Sequence, residues 1–220
     1  MSCPMPGTAH CKPRTREAGF TLLEMMIALS IFTLVMLMLM TLSLSMSSAA
    51  RFQDAKITSH DDARTGMMQL VRNVRQASRN SINWGALPNS TISYRVAVDT
   101  DGNGFAVDAN NDIELGPVIT VGVDNADLNG DGETTSQLIW SDGNQVNVLV
   151  NGLMQATEDG NGNNVLDAGE DANGNGILDQ GILFAAVGAG LQITIQTQRP
   201  ADASGTNVTS LFTEIVVPRN

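Results

Sequence analysis

The sequence predicts an α+β fold, with a long N-terminal helix packed on an antiparallel sheet and Asp/Asn/Gly-rich loops between the strands. Three observations predict it. Residues 20–40 are an oily run with one ionisable side chain, and residues 41–80 keep three- and four-residue apolar steps without a proline. From residue 91 the pattern changes to seven short β-type runs separated by Gly, Asn and Asp. A helix followed only by strands buries its apolar stripe against their sheet.

The helix is preceded by a charged leader. Residues 1–19 hold Lys12, Arg14 and Arg16 against Glu17, a net +2, so the chain from Phe20 onward carries −13 of the total −11. Between Phe20 and Met40 the one ionisable side chain is Glu24. At about 1.5 Å per residue that run spans roughly 32 Å, the thickness of a bilayer's hydrocarbon core. A carboxylate there costs about 1–3 kcal/mol on insertion scales, less near a helix end, so Glu24 calls for a partner. A secretory signal has a shorter apolar stretch and a small-residue cleavage site. "SSAA" at Ser47–Ala50 offers such a site late in the chain, and a plain signal anchor also accounts for the oily run. Neither explains Glu24.

The order R-E-A-G-F-T-L-L-E at residues 16–24 resembles the class III signal of type IV prepilins and of the pseudopilins of type II secretion. The resemblance implies that a prepilin peptidase/N-methyltransferase cuts between Gly19 and Phe20 and methylates the new Phe20 amine. It implies that Glu24 pairs with the Phe20 amine of an adjoining pilin or pseudopilin subunit, since a buried carboxylate is tolerable when an opposite charge meets it. It further implies insertion in the inner-membrane lipid, contact with an inner-membrane assembly platform, and a C-terminal domain in the periplasm, then a periplasmic or extracellular filament. The expected organisation is a leader at 1–19, a transmembrane and filament-core helix at 20–44, an amphipathic continuation at 45–80 and a β-rich head at 81–220. Many major pilins have a helix-kinking Pro within the apolar run, whereas none occurs here before Ser47, which favours a minor pilin or pseudopilin. "FTEIVVPRN" at the end is similar to the closing strand of minor pseudopilins, especially the J-type.

Past Met40, apolar positions at Phe52, Ala55, Met67, Leu70, Val71, Val74 and Ala77 predict a helix continuing to about Asn80, with Arg64, Arg72, Arg75 and Arg79 on the other face. That arginine row is either a solvated face or a contact for acidic neighbours in the filament. "NWGALPNS" at 83–90 is turn chemistry. The predicted strands are 91–98, 118–123, 137–140, 146–150, 182–187, 191–197 and 211–217, with "SDGNQ" after Trp140 as a hairpin turn.

Between Arg95 and Arg199 there is no Lys or Arg, while sixteen Asp and Glu lie there. That excludes ordinary nucleic-acid binding, which needs basic surface for phosphates, and suits divalent cations. "EDGNGNNVLDAG" (158–169) and "EDANGNGILDQG" (170–181) form a tandem repeat with eight identities. In the first, Asp159, Asn161, Asn163, Val165, Asp167 and Glu170 fall at positions 1, 3, 5, 7, 9 and 12 of an EF-hand-type calcium loop. A cation with six to eight oxygen ligands needs a chain that curls around it, and Gly and Asn permit the left-handed turns. The second offers Asp171, Asn173, Asn175, Ile177 and Asp179, but Ile182 stands at position 12, so a distant acid completes that site or it binds more weakly. Leu166 and Leu178 form an expected apolar plug, and without flanking helices the unit looks like the loops of dockerin or thrombospondin type-3 repeats. Weaker candidates are Asp99, Asp101 and Asn103 with Asp108 and Asp112, and Asp127, Asn129, Asp131 and Glu133; such clusters are also ordinary turns. The expected cofactor is structural Ca2+.

Cys3, Cys11 and His10 lie in the leader, so His60 is the one histidine or cysteine beyond it. A His-based triad or zinc site is therefore not expected, no nucleophile–base pair suggests itself, and the chain is not read as an enzyme. The leading expectation is a minor pilin or pseudopilin that helps initiate or cap a filament. The alternative is a calcium-dependent adhesive module on a pilin-type stem, for which Trp84, Tyr94 and Trp140 are the aromatic candidates.

Overall fold

The computed structural model describes residues 20–160, 166–172, 174, 176, 178–201 and 205–219. Among these residues one α-helix, α1 (Leu22–Gln76), is followed by seven strands. These are β1 (Ile92–Tyr94), β2 (Ile119–Val123), β3 (Gln137–Ser141), β4 (Val146–Asn151), β5 (Ile182–Val187), β6 (Gly190–Pro200) and β7 (Asn207–Val216). Contacts divide the chain into two compact units, residues 1–47 and 48–220.

In the first unit the helical residues are all exposed, Leu22, Leu37 and Met40 by 79, 65 and 63%. A helix this apolar with no buried face is not a soluble core helix, and its length and composition suffice to cross a membrane.

The second unit contains the core. From Ser59 onward α1 buries Ser59, Ala63, Gly66, Met67, Leu70 and Val74, a stripe at three- and four-residue steps. Phe52, expected on this stripe, is instead 44% exposed, because the buried face begins only at Ser59. Arg64, Arg72 and Arg75 are exposed as expected, whereas Arg79 stacks over the Trp84 ring at 5.4 Å. The helix ends at Gln76, short of the expected Asn80. At Ala77 and Ser78 the backbone turns from helical partners to strand partners, bridging Val96 and Arg219, and Ser78 N–H donates to the Arg95 carbonyl.

All seven predicted strands are present, arranged in two antiparallel sheets where one was expected: β1-β2-β3-β4 and β5-β6-β7. The first strand is shorter than predicted because its second half makes only isolated bridges (Ala77 with Val96, Ala97 with Leu115). β6 and β7 are longer, paired over ten residues from Leu191–Val216 to Pro200–Asn207. The sheets are stitched where the chain leaving β4 runs beside β6: Gln198 N–H donates to the Gly152 carbonyl and Met154 N–H to that of Gln196. Gly181 sits in this seam, where a Cβ would fall 2.5 Å from the Gln196 oxygen and 2.6 Å from Met154 N. The last glycine of the tandem repeat thus serves the sheet junction. Tyr94, Val121, Leu138 and Val150 from one sheet, and Phe184, Leu191, Ile193 and Ile195 from the other, close on the helix stripe. Gly66 allows the closest approach, since a Cβ there would lie 2.0 Å from Val150 Cγ2 and 2.8 Å from the Leu149 oxygen. Ser59 hydrogen-bonds to Thr197 Oγ1 at 2.8 Å, and Arg199 pairs with Asp62, fixing the helix to β6 through polar contacts as well.

Candidate functional site: the helix start and the acidic loops

The helix begins with a capping box. Thr21 Oγ1 accepts the Glu24 N–H (3.3 Å), while the Glu24 carboxylate accepts the Thr21 N–H (2.9 Å) and hydroxyl (3.1 Å). Both bonds to Thr21 use Oε2, so Oε1 has no hydrogen-bond partner among the described residues. The T-x-x-E signature that announces this cap is visible in the sequence at Thr21–Glu24. Glu24 therefore organises its own first turn through one carboxylate oxygen and leaves the other outside the cap, while Phe20, just before the helix, is 82% exposed. Gly19 lies outside the described residues.

The acidic loops share one backbone design. In 99–105 the carboxylate of Asp99 accepts the Gly104 N–H (2.7 Å), that of Asp101 the Asn103 N–H (2.9 Å), and Asn103 Oδ1 the Phe105 N–H (2.7 Å). In 127–133 the same ladder recurs one for one: Asp127 to Gly132 (3.1 Å), Asn129 to Asp131 (3.1 Å), Asp131 to Glu133 (2.8 Å). Asp171 accepts the Gly176 N–H (2.8 Å) at the equivalent place. The glycines at positions 4 and 6 all have positive φ: Gly102 and Gly104, Gly130 and Gly132, Gly174 and Gly176. In 99–105 and 127–133 the side-chain oxygens at positions 1, 3 and 5 each reach forward to a later N–H, and this curls the chain around them.

A second regularity lies across the sequence. The N–H of position 2 is held by a further carboxylate in every loop: Thr100 by Glu114, Leu128 by Asp124, Gly160 by Glu170 and Ala172 by Glu158. Glu158 and Glu170 open the two repeats, so the repeats exchange acids, each glutamate serving the other's loop. Glu170 at position 12 was visible in the sequence. Glu114, Asp124 and Glu158 were missed, because they stand fifteen residues after, three before and thirteen before their loops. Asp124 is fully buried and Glu158 is 9% exposed.

Among the described residues, Asp99, Asp101 and Glu114 bring carboxylate oxygens within 4.8 Å of one another. Asp108 and Asp112, expected to complete that shell, instead form their own turn, in which Asp108 accepts the Asn110 and Asp112 N–H groups. The hairpin bond from Val98 N–H to the Glu114 carbonyl is what places Glu114 there. The Gly104 N–H, with Gly102 and Asn103, holds the Asp99 carboxyl below its usual range. For Asp131 the Gln137 amide does so first, then the Glu133 N–H and the Asn129 side chain. In the tandem repeat, Asp159, Asp167, Glu170, Asp171 and Asp179 are described, while Asn161, Asn163, Val165, Asn173, Asn175 and Ile177 lie outside the described residues. Leu178 is buried and Leu166 half-buried, in keeping with a small apolar plug.

The aromatic candidates do not make an exposed binding face. Tyr94 is fully buried, which pushes its phenol well above the usual range, and Trp84 is half-buried with its indole N–H donated to the Arg79 carbonyl.

Residues 14–40 match the family described as the prokaryotic N-terminal methylation motif. No curated protein and no solved structure matches the chain.

Proposed function

We propose that this chain, which fits the type IV pilin-like family by its N-terminal methylation motif and long apolar helix, is a minor pilin or pseudopilin that helps initiate or cap a type IV pilus-like or type II secretion filament. The family that carries this motif is structural rather than enzymatic. The observation that carries the reading is the wholly exposed apolar half of α1 with one carboxylate at its start: such a surface has to be covered by lipid before assembly and by other helices after it. A prepilin peptidase cuts after Gly19 and methylates Phe20. Glu24 Oε1, left over from the capping box, then takes the Phe20 amine of the neighbouring subunit. The chain sits in the inner membrane with its head in the periplasm until the assembly platform adds it to the fibre.

The acidic loops hold structural calcium in this reading. The repeated ladder of side-chain oxygens at positions 1, 3 and 5, the positive-φ glycines and the carboxylate on each position-2 amide support it. Glu114, Asp124, Glu170 and Glu158 are the closing acids, and Glu158 fills the role that Ile182 cannot. The cation neutralises loops that have no Lys or Arg nearby, and binding to the folded form alone stabilises it.

A clean deletion tests the function, scored in one strain for exported enzyme activity and for surface pili with twitching. Lost secretion with normal pili makes the chain a type II pseudopilin; lost or sparse pili with normal secretion makes it a minor pilin. A wild-type result on both overturns the proposal.

A further inference from the structure

Beyond its apolar half, α1 borders a groove of 590 Å³ that the C-terminal end of the chain closes on its other side. Met68, Val71 and Val217 make an apolar floor, and Met68 and Val217 are 56 and 60% exposed. Arg72, Arg75 and Arg219 line the same groove, and none of the three has an ion pair among the described residues. Three like charges lining one groove repel one another, and here they do so on a chain that is otherwise strongly acidic. An apolar floor rimmed by unneutralised arginines fits a partner with an apolar tip in an acidic frame.

The chain itself carries such a tip. Past the apolar run, Phe105 is the most exposed large apolar side chain among the described residues, at 69%. It stands in the 99–114 loop three residues before Asp108 and seven before Asp112, on a hairpin held by the Ala97–Leu115 and Val107–Ile113 bridges. We infer that the groove receives the 99–114 loop of a second copy of this chain, with Phe105 on the apolar floor and Asp108 and Asp112, which form a turn of their own, on Arg72, Arg75 and Arg219. Phenyl burial supplies the attraction, and arginine, planar and weakly hydrated, is the cation best suited to carboxylates at such a contact. Groove and loop are different surfaces of one chain, so the contact can repeat head to tail and leaves a free groove at one end and a free loop at the other. The inference rests on the filament-subunit reading and adds which surfaces of the head meet.

Replacing Cys3 and Cys11 by serine leaves the full chain without a thiol, so introduced cysteines report alone. Asn110→Cys and Gln76→Cys in that background, which leave Phe105 and the apolar floor intact, treated on cells with a short bismaleimide, are expected to give a dimer and higher species that neither single cysteine gives. Arg72→Glu with Arg75→Glu is expected to lower the yield at least tenfold, and Ala109→Arg with Asp112→Arg in the same chain to restore at least half of it. Sheared-fibre fractions are probed in parallel. Protein in the fibre without the cross-link, a yield indifferent to charge reversal, or an adduct with a different protein or with lipid overturns the docking and leaves the subunit reading standing. A charge-dependent cross-link with no protein in the fibre supports the docking and overturns the subunit reading. Neither cross-link nor fibre protein overturns both.

Discussion

Gly66→Ala is the substitution by which the packing argument is most exposed to test. In an ordinary helix interior the change stabilises by about 1 kcal/mol, because alanine loses less backbone freedom. Here the new methyl would stand 2.0 Å from Val150 Cγ2, against roughly 3.5–4.0 Å for carbon atoms in contact, so about 1.5–2 Å must be found. Val150 has little means of yielding: it is 2% exposed, and its branched side chain is stiff at χ1. The Leu149 carbonyl, at 2.8 Å, belongs to the β4 backbone and moves only with the strand. Overpacking of this kind costs about 1–3 kcal/mol or somewhat more. An overlap this large against a strand backbone lies at the upper end of that range, so after the propensity gain the net is a loss of about 2 kcal/mol, or roughly 4–8 °C in Tm for a unit of this size. Gly85→Ala is the control, since the nearest atom to its Cβ would be Asn83 Oδ1 at 3.7 Å. The assay is thermal unfolding of the detergent-solubilised full chain, followed by circular dichroism. A Tm for Gly66→Ala equal to or above that of the parent would refute the close approach of α1 to β4.

Excess chelator is expected to lower the melting temperature of the full chain, and Glu114→Gln or Glu158→Gln to reduce that calcium-dependent part; a Tm indifferent to chelator would sink the calcium reading. Glu24→Gln is expected to leave cleavage after Gly19 intact while removing the chain from the fibre, read by the size of the band and by sheared-fibre blots. Ser59→Ala removes a buried hydroxyl bonded to Thr197 and is expected to cost about 1–2 kcal/mol in denaturant unfolding. The Asn144 N–H, and after it that of Gln145, hold the Asp142 carboxyl below its usual range. Its contribution is therefore fully present above the unfolded aspartate value of about 3.9 and is lost as pH falls from there through the folded value. Asp142→Asn should flatten that part of the acid limb in a pH series of unfolding midpoints, and an unchanged limb would count against it.

The local elements could be read from the chain because each depends on neighbours in sequence. The 21-residue apolar run with Glu24, the stripe from Met67 to Val74, the seven β-type runs and the Asp-x-Asn/Asp-Gly turns each announce themselves within a few residues. The Thr21–Glu24 cap was equally local and open to the same reading. What the tertiary structure alone decided is long-range. The strands form two sheets that are joined where the chain leaving β4 pairs with β6, and no spacing in the sequence encodes that bridge. The stripe starts at Ser59, a polar residue, because Thr197 waits opposite it on β6. Gly66 and Gly181 look like interruptions in the sequence and are the places where backbones come too close for a Cβ. The acids on the position-2 amides stand at four different separations from their loops. A carboxylate is positioned by the backbone that carries it, and only strand pairing and the juxtaposed repeats bring Glu114, Asp124 and Glu158 to the same place relative to three separate turns.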